Sequence, residues 1–167
     1  MNGLLKLDRI DINILAHLQQ NCQLTNIALA EAVNLSPSPC LTRVKRLEKA
    51  GYINSYNARL NLAKIVDHII VFTEVTLAEH NLSDFIRFET EIKRFEALQE
   101  CHMVSGGYDY LLRFVARNVM AYQQLMESVL ERGCGISKYF SYIVIKTVVM
   151  RESAPLKILL AECDDGA

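Results

Sequence analysis

Apolar positions recur along the first fifty residues at the spacing of one helix face. Leu7, Ile10, Ile14, Leu15 and Leu18 form the first such stripe, and Asp8 stands where a helix N-cap is needed. Asn21-Cys22-Gln23 breaks the rhythm. Thr25 caps a second helix carrying Ile27, Ala30 and Val33. Asn34 tolerates the left-handed backbone that ends a helix. Ser36 then caps a third helix, with Pro37 at a first position that needs no backbone N–H. Leu41, Val44 and Leu47 are expected to be its buried stripe, and Gly51 stops it. Three helices result, the last two joined by a tight turn. Tyr52 to Leu60 is expected to be extended, a wing leading into a connector.

The rhythm changes in the rest of the chain. His68 to Leu77 is rich in Ile, Val, Thr and Phe and predicts a strand. Phe85, Phe88, Ile92 and Phe95 mark a helix, with Ser83 as its expected cap. Leu98 to Ser105 and Tyr108 to Ala116 predict two strands joined at Gly106-Gly107, a hairpin signal. Asn118 caps a helix with Leu125, Met126 and Val129, ending at Gly133 or Gly135. Ile136 to Val149 predicts a long last strand. The order β-α-β-β-α-β is that of a ferredoxin-like split unit. The fold class is therefore α+β, a winged helix-turn-helix followed by a ferredoxin-like domain. The domains are expected at 1–62 and 63–155, with 156–167 a C-terminal tail.

Half of the 167 residues are hydrophobic, enough for a packed core. No apolar run approaches a membrane span, and Met1 to Lys6 lacks a signal-peptide pattern. A soluble, cytoplasmic protein with no membrane partner is the expectation. The cysteines number five and show no CxxC spacing, which argues against a disulfide framework or a zinc site. The net charge of −1 divides unevenly. Residues 1–62 hold seven Lys or Arg and four acids, whereas residues 63–167 hold 11 and 15. A polyanion partner for the first part, and another task for the second, would explain the split.

Two constellations could carry function. The third helix turns Ser38, Thr42, Arg43, Lys45, Arg46 and Lys49 away from the core. An α-helix fits the DNA major groove, and basic side chains and the helix N-terminus at Ser36 can bind phosphates. The plainer alternative is a three-helix packing unit with solvated cations. The second constellation is Val104-Ser105-Gly106-Gly107-Tyr108-Asp109. Two glycines let backbone N–H groups converge on a carboxylate, and Asp109 could meet an ammonium group. A tight hairpin with an exposed Asp is the plainer alternative. The four His show no metal spacing, and no phosphate-binding loop or nucleophile elbow occurs. No catalytic, metal or cofactor site is expected.

Leu7-Asp8-Arg9-Ile10-Asp11, Leu35-Ser36-Pro37-Ser38-Pro39-Cys40-Leu41 and Arg43-Val44-Lys45-Arg46-Leu47-Glu48 resemble the Lrp/AsnC family of regulators. Gln99-Glu100-Cys101-His102-Met103-Val104-Ser105-Gly106 and Asp109-Tyr110-Leu111-Leu112 resemble its leucine-responsive branch. The likeness runs from about Leu7 to about Arg151. It implies a transcription regulator that binds double-stranded DNA and dimerises through its sheets, with dimers assembling into octamers. It also implies an amino-acid effector, leucine, methionine or similar, bound at contacts between dimers. DNA would meet Ser36, Ser38, Thr42, Arg43, Lys45 and Arg46. The effector would meet Met103, Val104, Ser105, Gly106, Gly107, Tyr108, Asp109 and Tyr142. Gly107 stands where the family usually carries an acid, and Asn34 where Gly is usual. Two alternatives stand beside this reading. One is an enzyme of the sirohaem decarboxylase type; the other is a DNA-independent amino-acid-sensing interaction module.

Overall fold

The computed structural model of the chain describes residues 6–151 and 153–161. Met1 to Leu5 of the N-terminal segment, and residues 162–167 of the tail with Cys163, lie outside the described residues. The described residues separate into two compact units, one of residues up to Arg59 with those from Val149 on, the other Leu60–Val148. The boundary expected near residue 62 falls within a few residues of Arg59. Residues 149–151 and 153–155, expected in the second domain, group instead with the first.

The first unit opens on a reciprocal cap. The Asp8 carboxylate accepts the Asp11 N–H at 2.8 Å, and the Asp11 carboxylate accepts the Asp8 N–H at 3.2 Å. Two of the four orphan donors of helix α1 (Arg9–Gln20) are thereby satisfied. Helix α2 (Asn26–Ala32) begins at Thr25, whose hydroxyl accepts the Ala28 N–H. Asn34 has φ 56°, the left-handed conformation that reverses the chain into α3 (Pro37–Lys49). The Asn26 amide donates to the Pro37 carbonyl at 2.8 Å and ties α2 to the first turn of α3.

The buried stripe of α3 differs from the expectation. Leu41 is 42% exposed, whereas Cys40 and Leu47 are fully buried and Val44 partly so. Three residues turn a helix by about 300°, so the spacing 41, 44, 47 drifts off any one face. The spacing 40, 44, 47 stays on it. Cys40 and Leu47 share one core with Ile14, Leu29, Ala30 and Val33, against which Tyr52 and Ile53 pack. Residues 53–60 form no ladder among the described residues, so the segment expected to be a wing and connector has no paired strands. The short helix α6 (Leu156–Ala161) follows Ala154, whose backbone exchanges two 2.9 Å hydrogen bonds with the Gln19 amide.

The second unit is built on four antiparallel strands. They are β1 (Ile69–Leu77), β2 (Leu98–Met103), β3 (Tyr110–Ala116) and β4 (Ile136–Ile143), in the order β2-β3-β1-β4. Helices α4 (Leu82–Ile92) and α5 (Val119–Glu131) cover one face. Period-two alternation puts Val71, Thr73 and Val75 inward from β1, and Tyr110, Leu112 and Phe114 inward from β3. They meet Phe88 and Ile92 from α4 and Tyr122, Met126 and Val129 from α5. Thr73, the buried polar residue of this core, is within 2.8 Å of the Tyr122 hydroxyl. The other face carries no helix of this unit among the described residues. Phe140 and Tyr142 stand about half exposed there.

Three details differ from the expectations. Asn81, not Ser83, is the N-cap of α4, because the chain leaves extended backbone at Asn81 and Ser83 already lies inside the helix. The β2–β3 connection is a six-residue loop from Val104 to Asp109 rather than a two-residue hairpin. The last strand ends at Ile143 rather than Val149. A strand needs a partner, and β1 begins at Ile69, so the ladder runs out after the Val144 N–H reaches the Ile70 carbonyl. Ile145 is fully exposed beyond it.

Candidate DNA-binding helix and effector loop

The outward face of α3 is not a row of free cations. Arg43 Nη1 donates to Asp8 Oδ2 at 2.6 Å and to Asp11 Oδ1 at 2.8 Å. Arg46 Nη2 donates to Asp11 Oδ2 at 2.5 Å. Asp11 is fully buried, and Arg43 and Arg46 are 27% and 43% exposed. The Asp11 N–H and the Arg43 guanidinium hold the Asp8 carboxyl below its ordinary value, against an opposing effect of desolvation. Asp8 and Asp11 in turn raise the Arg43 guanidinium. Opposite charges and charge-assisted hydrogen bonds act together here. Sequence spacing directs both arginines away from the core. It does not reveal their partners, although the Asp-x-x-Asp spacing of a capping box is visible in it.

The rest of the face is open. Ser36, Ser38 and Lys45 lie outside the core, and Lys45 makes no ion pair among the described residues. The Thr42 hydroxyl donates back to the Ser38 carbonyl at 3.1 Å. Ser38, Pro39, Thr42, Arg43 and Arg46 line a shallow depression of about 400 Å³. The helix N-terminus is a poorer anion site than expected. Pro37 and Pro39 remove two of its four spare N–H donors, which leaves those of Ser36 and Ser38.

In the second unit the loop 104–109 is closed by two backbone bonds. The Val104 N–H reaches the Asp109 carbonyl, and the Asp109 N–H reaches the Val75 carbonyl, each at 2.9 Å. The Asp109 carboxylate is already engaged. It accepts the Leu77 N–H at 2.7 Å and faces His80 Nε2 at 3.1 and 3.2 Å. His80 lies 29 residues away in sequence, and no spacing signals it. A carboxylate offers about four acceptor positions, so room for an ammonium donor remains. Ser105, Gly106 and Gly107 are exposed, Met103 is 57% exposed, and Val104 and Tyr108 are half-buried.

Tyr142 stands apart from this loop's edge of the sheet. It is opposite Phe72 on the open face, and its hydroxyl donates to Glu74 at 3.2 Å. Partial desolvation and that carboxylate push its phenol up, with a smaller contribution from Tyr108. Met103 is opposite Tyr110, a residue of the helix-covered face. β3 and β1 lie between their strands. A single chain therefore does not gather Met103 and Tyr142 on one face. Among the described residues no cluster of three metal-ligating side chains occurs, and no helix is long and apolar enough to cross a membrane.

Residues 7–54 match the winged helix-turn-helix DNA-binding family, and residues 70–154 match the Lrp/AsnC ligand binding domain. The chain belongs to the Lrp/AsnC family. The transcriptional regulatory protein DoeX of Halomonas elongata is 46% identical over 154 residues, 92% of this chain and 97% of that one. The leucine-responsive regulatory protein of Escherichia coli is 42% identical over 142 residues, 85% and 87% of the two chains. A transcriptional regulator of Neisseria meningitidis, solved in complex with L-Met, superposes with a TM-score of 0.86. It is 33% identical, and the match covers 93% of this chain and 100% of that one.

An Lrp/AsnC chain with these two modules is a DNA-binding transcription regulator carrying an amino-acid ligand domain. The curated relatives named above are regulators, which places the chain with regulation rather than catalysis. The enzymatic alternative is thereby set aside.

Proposed function

We propose that this Lrp/AsnC regulator binds duplex DNA through α3 and changes its operator affinity when an amino acid occupies the second unit. Ser36, Ser38, Thr42, Arg43, Lys45 and Arg46 form the DNA face. Lys45 meets phosphate, and the depression between Ser38 and Arg46 receives base edges. A dimer presents two such helices to successive major grooves and favours a palindromic site.

The effector face comprises Met103 to Asp109, with Tyr142 contributed across an assembly contact. The observation that carries this reading is the Asp109 carboxylate, fixed by the Leu77 N–H beside an exposed loop. It suits an ammonium group, while Met103 and Val104 suit an apolar side chain. The L-Met complex of the Neisseria meningitidis regulator supports methionine or a similar apolar amino acid as ligand. The uncovered sheet face, with Phe140 and Tyr142 exposed, supports dimerisation through sheets and growth to an octamer. An effector that binds two assembly states unequally shifts their populations and so couples to DNA affinity. The protein acts in the cytoplasm, where its operator is.

The test titrates the purified protein with each common amino acid at millimolar concentration. Sedimentation reads the assembly, and fluorescence anisotropy reads affinity for a duplex enriched from random sequence. One or more apolar amino acids should change both. An assembly and an affinity that ignore every amino acid would defeat the effector reading.

A further inference from the structure

We propose that the Asp8–Asp11 carboxylate pair is a specificity device, with Asp11 a positioning residue for the DNA-reading helix. This rests on the reading of α3 as the DNA-facing helix. Two arginines on a basic helix would ordinarily be mobile charges that bind any phosphate. Here both are restrained. Asp8 and Asp11 grip one nitrogen of Arg43, and Asp11 grips one nitrogen of Arg46. Two carboxylates offset two guanidiniums, so the network adds no net charge to the face. Among the described residues Lys45 and Lys49 have no ion pair and remain as the cations of α3.

A guanidinium carries five donors in a rigid fork. The gripped nitrogen restrains that fork, and both arginines line a depression together with Ser38, Pro39 and Thr42. Held donors suit a base edge, whose acceptors occupy defined positions. Freed donors suit phosphate, which is everywhere along the duplex. Asp11 is fully buried on α1 and cannot itself touch DNA. It acts through the two arginines, and so converts non-specific attraction into direction.

Asp11→Asn keeps the shape and one acceptor oxygen while removing the charge. Asp8→Asn does the same at a half-exposed position and guards against a folding defect. Each is titrated, across a range of salt, against the duplex that wild-type protein enriches from random sequence and against a shuffled duplex. Affinity for the shuffled duplex should rise, and its log–log salt slope should steepen by about 0.9 per freed arginine. The ratio of selected to shuffled affinity should fall by about tenfold for Asp11→Asn, with a smaller change for Asp8→Asn. Parallel weakening on both duplexes at unchanged slope would mean a merely structural role and overturn the proposal, as would no change from either variant.

Lys45→Ala, measured alongside, separates the two readings. If it alters neither duplex, α3 does not face DNA and this proposal falls with that reading. If it weakens both while the Asp variants leave slope and ratio untouched, the helix reading stands and the positioning role is refuted.

Discussion

Arg43→Ala removes two hydrogen bonds at once, and their worth follows from what Asp11 keeps. The buried carboxylate retains Arg46 at 2.5 Å and the Asp8 N–H at 3.2 Å. Stripping a buried charge of its partner costs about 3–5 kcal/mol. With one guanidinium left, roughly half of that applies, about 2 kcal/mol. The contact to Asp8 adds little, because that carboxylate is 50% exposed and solvent screens it. For a chain of this size the loss corresponds to a melting point lower by about 4–8 °C. Arg43→Ala with Arg46→Ala should cost more than the two singles summed, since each single leaves Asp11 one cation. In an Asp11→Asn background, Arg43→Ala should cost under about 1 kcal/mol. Urea titration followed by circular dichroism supplies all the corners of the cycle. Equal costs of Arg43→Ala in the wild-type and Asp11→Asn backgrounds would refute the coupling. The same numbers bear on DNA work: lost binding in Arg43→Ala reports a base contact only when the folded fraction is measured beside it.

Asp109→Ala should cost about 1.5–3 kcal/mol, the worth of a hydrogen bond to a charged group, and should speed amide exchange at Leu77. Calorimetric titration with methionine should show affinity lost together with that protection; intact affinity would exclude Asp109 from the effector site. A Cβ at Gly107 meets nothing within 4 Å, and Gly107 lacks the backbone conformation that demands glycine. Gly107→Asp should therefore change stability by less than about 0.5 kcal/mol and tighten binding of the effector's ammonium end, read by the same titration. Asp8 titrates below its ordinary 3.8 in the folded chain. Its stabilisation is present above that value and is lost as pH falls through the lowered folded value. The melting-point difference between wild type and Asp8→Asn should thus be constant near neutrality and vanish in strong acid. A difference that persists there would contradict the assigned cause.

Much of this molecule is legible in its sequence because local rules decide it. Asp8, Thr25 and Asn118 cap their helices through side chains that reach only three residues along the chain. Asn34 turns the backbone by its own conformational tolerance. Alternation along β1 and β3 decides which side chains form the core, since a strand's faces follow from period two. Strand order follows from the β-α-β-β-α-β pattern.

Long-range partners are not legible. Arg43 and Arg46 read as free cations until α1 and α3 pack together and put Asp11, more than thirty residues earlier, beside them. Asp109 reads as a free carboxylate until the end of β1 brings the Leu77 N–H and His80 to it. Sequence spacing sets the direction of a side chain on its own element. Which charge meets it depends on how elements pack, and that balance of desolvation against pairing is struck only in the folded chain. Met103 and Tyr142 show the same division. The family resemblance suggests a shared task, and the strand register assigns them to opposite faces of one sheet.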